Sequence, residues 1–191
     1  MYAAAGEFVR EHLAAGDGKS CLVVGSPLFE AIELIDRGWD VTYLDVRIPP
    51  HKFKKFVHCD AAAMPFEDES FDALSSTCVL SHVGMGRYGD PLVDHGDEKA
   101  LAHMARVLKP NALATIMFGN VAAMPEMVRL GTCHRIFTMD ECRSMLAAVP
   151  LHVEEARFWS LSKKAWFKDE KEITSDFMIW PDYVSFLVRK C

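Results

Sequence analysis

The chain has 191 residues, 50% apolar, 10% aromatic and 25% charged. That is the make-up of one globular domain and excludes a disordered or collagen-like chain. With 21 Lys and Arg against 27 Asp and Glu the net charge is −6, so the molecule as a whole repels a phosphate backbone and nucleic acid is disfavoured as a partner.

Residues Met1 to Leu13 carry only short apolar runs broken by Glu7, Arg10 and Glu11. No signal-peptide core or membrane span is expected there or later, which points to a cytoplasmic protein. The six cysteines, Cys21, Cys59, Cys78, Cys133, Cys142 and Cys191, show no CxxC spacing. Most sit in apolar surroundings, as buried reduced thiols do, so neither a disulfide framework nor a zinc site is expected.

Along the chain the apolar period alternates between strand-like and helix-like, the signature of an α/β layered fold. Tyr2 to Ala15 reads as an amphipathic helix stopped by Gly16 and Gly18. Cys21 to Val24 is a continuous apolar run of the kind that forms a parallel strand buried on both faces, and it ends in Gly25. Leu28 to Asp36 places Leu28, Ile32 and Ile35 at helical spacing, and Val41 to Leu44 is the next strand, closed by Asp45. Strand, glycine turn, helix, strand and acid, with the acid about 20 residues after the glycine, is the layout of a nucleotide-binding βαβ half.

Phe56 to Cys59 and Phe71 to Thr77 follow as strands, with a turn-rich stretch between them. His95 to Leu108 reads as a crossover helix capped by Asp94 or Asp97. Lys109, Pro110 and Asn111 end it before a strand over Leu113 to Phe118. Gly119 to Gly131 reads as a lid. Thr138 is an N-cap for a helix running to Ala148, and Leu151 to Trp159 and Tyr183 to Arg189 are two further strands. Lys163 to Asp176 reads as a solvated connection, and the wider 160–181 stretch as such a connection or a substrate-side insertion.

The turn Gly25-Ser26-Pro27 has one glycine where GxGxxG has three. A pyrophosphate wants more glycines, so the turn weakens a nicotinamide oxidoreductase reading and suits a smaller anionic end such as an amino-acid carboxylate. Asp45 stands where a carboxylate accepts hydrogen bonds from ribose hydroxyls; the alternative is that it merely caps its loop.

The segments Val23-Val24-Gly25-Ser26-Pro27, Val41 to Asp45, Asp60-Ala61 with Met64-Pro65-Phe66, Ser70-Phe71-Asp72 and Arg106-Val107-Leu108-Lys109-Pro110 resemble the class I S-adenosylmethionine-dependent methyltransferases. Inside that superfamily, the run His82 to Pro91 with Gly96-Asp97 and His134 to Phe137 is similar to a poorly characterised methyltransferase-like family with a His-x-Gly-x-Gly-Arg-Tyr-Gly-Asp-Pro signature. The resemblance implies a single Rossmann-like three-layer domain over residues 1–191, with a mostly parallel seven-stranded sheet whose last strand is antiparallel. It implies S-adenosylmethionine as cofactor. Gly25, Ser26 and Pro27 would face the methionine part, Asp45 with Val46 the ribose, Asp60 and Ala61 the adenine, and Thr77 and Cys78 the reactive methyl. Asn111-Ala112 replace the common Gly-Gly after Lys-Pro, a mild change because Asn tolerates a left-handed turn.

Ligands of such sheets bind outside the carboxyl ends of the strands, which puts Ser81 to Asp97 over the reaction centre. Arg87, Tyr88 and Asp90 supply a cation, a hydroxyl and a carboxylate in one loop; the alternative is that Arg87 and Asp90 pair and hold its shape. His82 is the candidate base, because an imidazole accepts a proton at cellular pH, weighed against a structural histidine. Arg87, His134 and Arg135 are the candidate substrate-binding residues, Arg135 foremost because a guanidinium fork matches carboxylate or phosphate geometry. Asp90, Asp94, His95 and Asp97 form an acidic cluster of the kind that binds a divalent metal, but Asp94 or Asp97 as the cap of the helix that begins there is the favoured reading.

The function expected is methyl transfer to a small polar or glycan-like acceptor. A non-catalytic nucleotide- or protein-binding module that keeps the fold is the first alternative and an NAD(P)-dependent oxidoreductase the second. The partner expected is a small-molecule substrate, with no membrane, and a homo-oligomer is left open.

Overall fold

The centre of the molecule is set by the apolar run after Lys19. Cys21, Leu22, Val23 and Val24 are all wholly buried, and they form strand β1 (Ser20–Val24). In a computed structural model, which describes residues 2–121, 128–130, 134–160, 163–169 and 182–191, β1 pairs in parallel with β2 (Asp40–Asp45) on one side and β4 (Phe71–Thr77) on the other. Strand β3 (Phe56–His58) adds to β2, and β5 (Leu108–Val121) lies parallel to β4.

Beyond β5 the sheet continues through β10 (Asp182–Lys190), β8 (Leu151–Ser160) and β9 (Ala165–Phe167), giving the order β3-β2-β1-β4-β5-β10-β8-β9. β10 is antiparallel to both β5 and β8. The expectation of an antiparallel last strand therefore holds. An oxidoreductase of the dinucleotide-binding type would carry an all-parallel 3-2-1-4-5-6 sheet instead. A separate antiparallel pair is formed by β6 (Val128–Leu130) and β7 (His134–Ile136).

Among the described residues the main sheet has eight strands where seven were expected. The segment expected as a solvated connection folds back in part as β9, antiparallel to β8, with Trp159 and Trp166 meeting edge to face at 5.4 Å between centroids. That ring contact gives the return strand an apolar reason to stay on the sheet edge. Residues 161–162 and 170–181 of that stretch, 122–127 and 131 of the expected lid, and residues 132–133, Cys133 among them, lie outside the described residues.

Successive residues of β1 face opposite sides, and two apolar layers result. Leu22 and Val24 join the layer covered by helices α3 (Gly96–Val107) and α4 (Met139–Ala147). Cys21 and Val23 join the one covered by α1 (Tyr2–His12) and α2 (Leu28–Asp36). This is the expected three-layer α/β arrangement.

Three details depart from expectation. In α2 the buried residues are Glu30, Ala31 and Leu34, while Ile32 and Ile35 are 36% and 42% exposed. The helix is turned so that Glu30 meets hydroxyl groups of the sheet. α3 has neither Asp94 nor Asp97 as its cap: His95 holds that position at φ 55° without a side-chain cap bond, and Asp97 lies in the first turn. The bend expected at Lys109-Pro110-Asn111 is absorbed into β5 as an irregularity between Leu108 and Leu113, with Asn111 left-handed at φ 64°.

Thr138 does cap α4. Its hydroxyl accepts from the Glu141 N–H and its own N–H donates to the Glu141 carboxylate, a reciprocal capping box. Among the described residues no helix is long and apolar enough to cross a membrane.

Candidate active site

The carboxyl ends of β1, β2 and β4 open onto a cleft of about 450 Å³. Its floor begins at the turn after β1. Gly25 takes φ 53°, a conformation that favours glycine, and a Cβ there would press on the Val79 side chain at 3.1 Å. Ser26 is buried and fixes the turn. Its Oγ donates to the Val24 carbonyl (3.1 Å) and accepts from the Thr77 N–H (2.9 Å), tying the ends of β1 and β4 together. Pro27 is the N-cap of α2 and sacrifices no helical N–H there.

Beneath this turn lies a residue that the sequence reading did not single out. Glu30, 1% exposed, accepts hydrogen bonds from the hydroxyls of Ser75 and Thr77, the latter at 2.7 Å, and Ser75 in turn meets Thr115 at 3.0 Å. Burial pushes the Glu30 carboxyl above its ordinary range, and the hydroxyls of Ser75, Thr77 and Ser26 counter part of that rise. A glutamate at an inward helical position beside hydroxyl-bearing strands was the available signal.

Asp45 ends β2 inside the cleft, 5% exposed. Its two oxygens are already engaged. Oδ1 accepts from the Arg47 N–H (2.8 Å) and Nε (3.0 Å), and Oδ2 accepts from Arg47 Nη2 (2.8 Å) and the Tyr43 hydroxyl (3.0 Å). The same Tyr43 hydroxyl lies 2.9 Å from the Ser26 carbonyl, linking the β2 and β1 ends. Burial, followed by the neighbouring Asp45, drives the Tyr43 phenol well above its usual range. Arg47, held above its ordinary value chiefly by its bond to Asp45, is a second residue missed from sequence.

Asp60 caps a short 3-10 turn over Ala61–Ala63 by accepting from the Ala62 N–H at 2.9 Å. Asp60, Ala61 and Val46 line the far end of the cleft, and Thr77 and Cys78 line the end nearest β4. Cys78 sits left-handed at φ 60°, and burial pushes its thiol up to about 12, so it is no nucleophile at neutral pH.

The loop after β4 covers this end. His82, Tyr88 and Asp90 all line the cleft. The His82 and Tyr88 rings meet edge to face at 5.6 Å, and His134 meets His82 at 6.1 Å and 90°. Burial, then the charge of Arg87, pulls the His134 imidazole below its ordinary value. Both Arg47 and Arg87 lie over the Tyr88 ring, their Cζ atoms 4.5 and 5.3 Å from its centroid. Arg87 and His134 are outside the cleft lining proper and stand behind Tyr88 and His82.

Two of the expected site residues are engaged by the protein itself. Asp90, expected as a catalytic carboxylate, accepts from the backbone N–H groups of Met85 (3.1 Å), Gly86 (3.1 Å) and Tyr88 (3.0 Å), so its lone pairs serve to fold the loop. Arg135, expected to bind substrate, is wholly buried. Its guanidinium donates to the Val83 carbonyl at 2.6 Å and pairs with Asp97 at 3.5 Å. It holds the loop to α3 and does not reach the cleft.

Residues 28–116 match a family model described as a methyltransferase domain, which begins directly after the Gly25-Ser26-Pro27 turn. Three solved structures share the fold over nearly the whole chain. A 1,6-didemethyltoxoflavin-N1-methyltransferase of Burkholderia thailandensis, with bound S-adenosylhomocysteine, is 17% identical at TM-score 0.72 and is matched over 99% of this chain and 77% of its own. A methyltransferase of Bacillus halodurans, so far assigned only provisionally, is 12% identical at TM-score 0.69 over 98% and 99%. A geranyl diphosphate C-methyltransferase of Streptomyces coelicolor, also with S-adenosylhomocysteine, is 13% identical at TM-score 0.67 over 99% and 77%. The fold is the Rossmann-like methyltransferase fold. None of the curated proteins compared with the chain matches it.

Proposed function

We propose that this chain is a methyltransferase that takes its methyl group from S-adenosylmethionine and passes it to a small polar or glycan-like acceptor. One observation carries the reading: in a fold shared with methyltransferases that bind S-adenosylhomocysteine, a single cleft places Gly25, Asp45 and Asp60 at the ends of successive strands. In this reading the Gly25 turn takes the amino-acid end, Asp45 and Val46 the ribose, and Asp60 and Ala61 the adenine. The sulfonium methyl then projects past Thr77 and Cys78 toward His82.

Methyl transfer from a sulfonium is an in-line displacement. The acceptor atom attacks the methyl carbon as the carbon–sulfur bond breaks, and the electron pair of that bond stays on sulfur. The protein's main task is alignment, with a base needed where the acceptor carries a proton. His82 borders the cleft at that end and takes the role of base, with Tyr88 beside it as a wall and hydroxyl partner.

A second reading, a fold kept without methyl transfer, has one observation in its favour. The [4+2]-cyclase SpnF shares the fold over 98% of this chain at TM-score 0.70 and 16% identity. Calorimetry with S-adenosylmethionine and S-adenosylhomocysteine tests the donor site, and turnover with an acceptor library separates the two readings. Wild-type protein is expected to bind both ligands. Asp45→Ala should weaken binding about tenfold or more, because charge-assisted hydrogen bonds are worth ~1.5–3 kcal/mol. No binding at millimolar ligand, or unchanged affinity in a folded Asp45→Ala, overturns the donor pose.

A further inference from the structure

The carboxylate assigned to the ribose is held by a guanidinium in the free protein. Arg47 Nε and Nη2 occupy both oxygens of Asp45. A ribose diol brings two O–H donors to those same lone pairs, so the two compete. The Arg47 backbone N–H and the Tyr43 hydroxyl use other directions and do not have to leave. The displaced guanidinium is tethered: it already lies 4.5 Å over Tyr88, and its side chain is 48% exposed.

Around that position the chemistry changes character. Tyr88, His82 and His134 present three rings in successive edge-to-face contact, and Arg87 adds a second guanidinium at Tyr88. The carboxylate of the loop, Asp90, lines the cleft but is bonded to three backbone amides. A molecule of net charge −6 thus has an aromatic wall with a cationic rim where the acceptor would lie. Guanidinium forks match planar oxyanions, and aromatic walls favour rings.

We propose that Arg47 is an acceptor-binding residue released by the donor: once the ribose takes Asp45, the guanidinium stays on Tyr88 and grips an aromatic oxyanion, an aryl carboxylate or aryl phosphate, beside His82. This rests on the donor pose above and adds to it the acceptor class and an order of binding, donor first. It also gives His82 a neighbour that anchors the acceptor while the imidazole accepts its proton.

The test uses wild-type protein and Arg47→Ala, with thermal melts to confirm folding. Calorimetry measures S-adenosylhomocysteine binding, and NMR follows the His82 and His134 imidazole signals while benzoate or phenyl phosphate is added. Loss of a half-exposed ion pair that the donor must break should tighten S-adenosylhomocysteine binding about two- to fivefold in Arg47→Ala. In the loaded wild type at least one of the two anions should shift the imidazole signals, and which one does so tells carboxylate from phosphate. The shift should be lost in the variant and much smaller without S-adenosylhomocysteine. Weaker or unchanged donor affinity in Arg47→Ala overturns the proposal. So do imidazole signals that neither anion moves, or that move equally in the variant or in the unloaded protein. Failure of wild type to bind S-adenosylhomocysteine at all overturns the donor pose itself, and this proposal with it.

Discussion

Glu30 shows how much a single side chain can determine beneath a binding turn. It is buried behind Gly25-Ser26-Pro27 and accepts from Ser75 and Thr77, and Thr77 and Ser26 also line the cleft. Burial raises its carboxyl above the ordinary 4.5. A raised acid binds more protons folded than unfolded, so its favourable contribution is complete below 4.5 and is lost as pH rises toward the folded value. Replacing it with Gln removes that titration and keeps most of the hydroxyl contacts. Denaturant unfolding at pH 4.5 and at pH 8 should therefore show Glu30→Gln gaining stability relative to wild type as pH increases. Glu30→Ala, which strands two buried hydroxyls, should lose about 1–3 kcal/mol at either pH. A wild-type-to-Gln difference that does not change with pH would mean that Glu30 titrates normally. The position was hard to read in sequence because hydrophobicity alone favours Leu28, Ile32 and Ile35 as the inner face. Only the partnership with hydroxyls more than forty residues away, as 45 for Ser75, turns the helix.

Strands and helices were far more legible than side-chain roles, for a reason visible in β1 to β4. β1 is buried on both faces and apolar from Cys21 to Val24, and β4 is recovered end to end as Phe71 to Thr77 even though its second half carries the buried hydroxyls of Ser75, Ser76 and Thr77. The loop from Ser81 to Asp97 has no such period. Its residue types announced chemistry, yet Asp90 turns to backbone amides inside the loop and Arg135 to the Val83 carbonyl and Asp97, contacts that no sequence period marks. Arg47 carried no spacing signal at all, only its position two residues after Asp45. The buried pair within this loop gives a direct test. Asp97 is pushed above its usual range by burial, with Arg135 acting against that rise, and Arg135 bridges Asp97 to the Val83 carbonyl. Removing one partner leaves the other charge buried. Arg135→Ala should thus cost about 3–5 kcal/mol in urea unfolding, and the double variant Arg135→Met with Asp97→Leu should recover much of it. A loss below about 1 kcal/mol, the range of an exposed pair, would show the loop to be held by its backbone bonds alone.

At the scale of the molecule the cleft and the core are built from the same strands. β1, β2 and β4 end in Gly25, Asp45 and Thr77 at the cleft, and their preceding residues fill both apolar layers. A ligand bound at those ends touches the parts of the chain that must separate for either layer to open, so its binding energy should appear in global unfolding rather than in a local event. With S-adenosylhomocysteine at a hundred times its dissociation constant, linkage adds about 2.7 kcal/mol. For a chain of this length each kcal/mol moves the midpoint by roughly 2–4 °C, giving an expected rise of roughly 5–11 °C in Tm by differential scanning calorimetry. The rise should follow the logarithm of ligand concentration, and Asp45→Ala should show a smaller rise at the same concentration. Two separate transitions, with only one shifted by ligand, would mean that the β1-β2-β4 half opens independently of the antiparallel β10-β8 half. No rise at millimolar ligand would mean that S-adenosylhomocysteine does not bind the folded chain, and the cleft would then have to serve some other molecule.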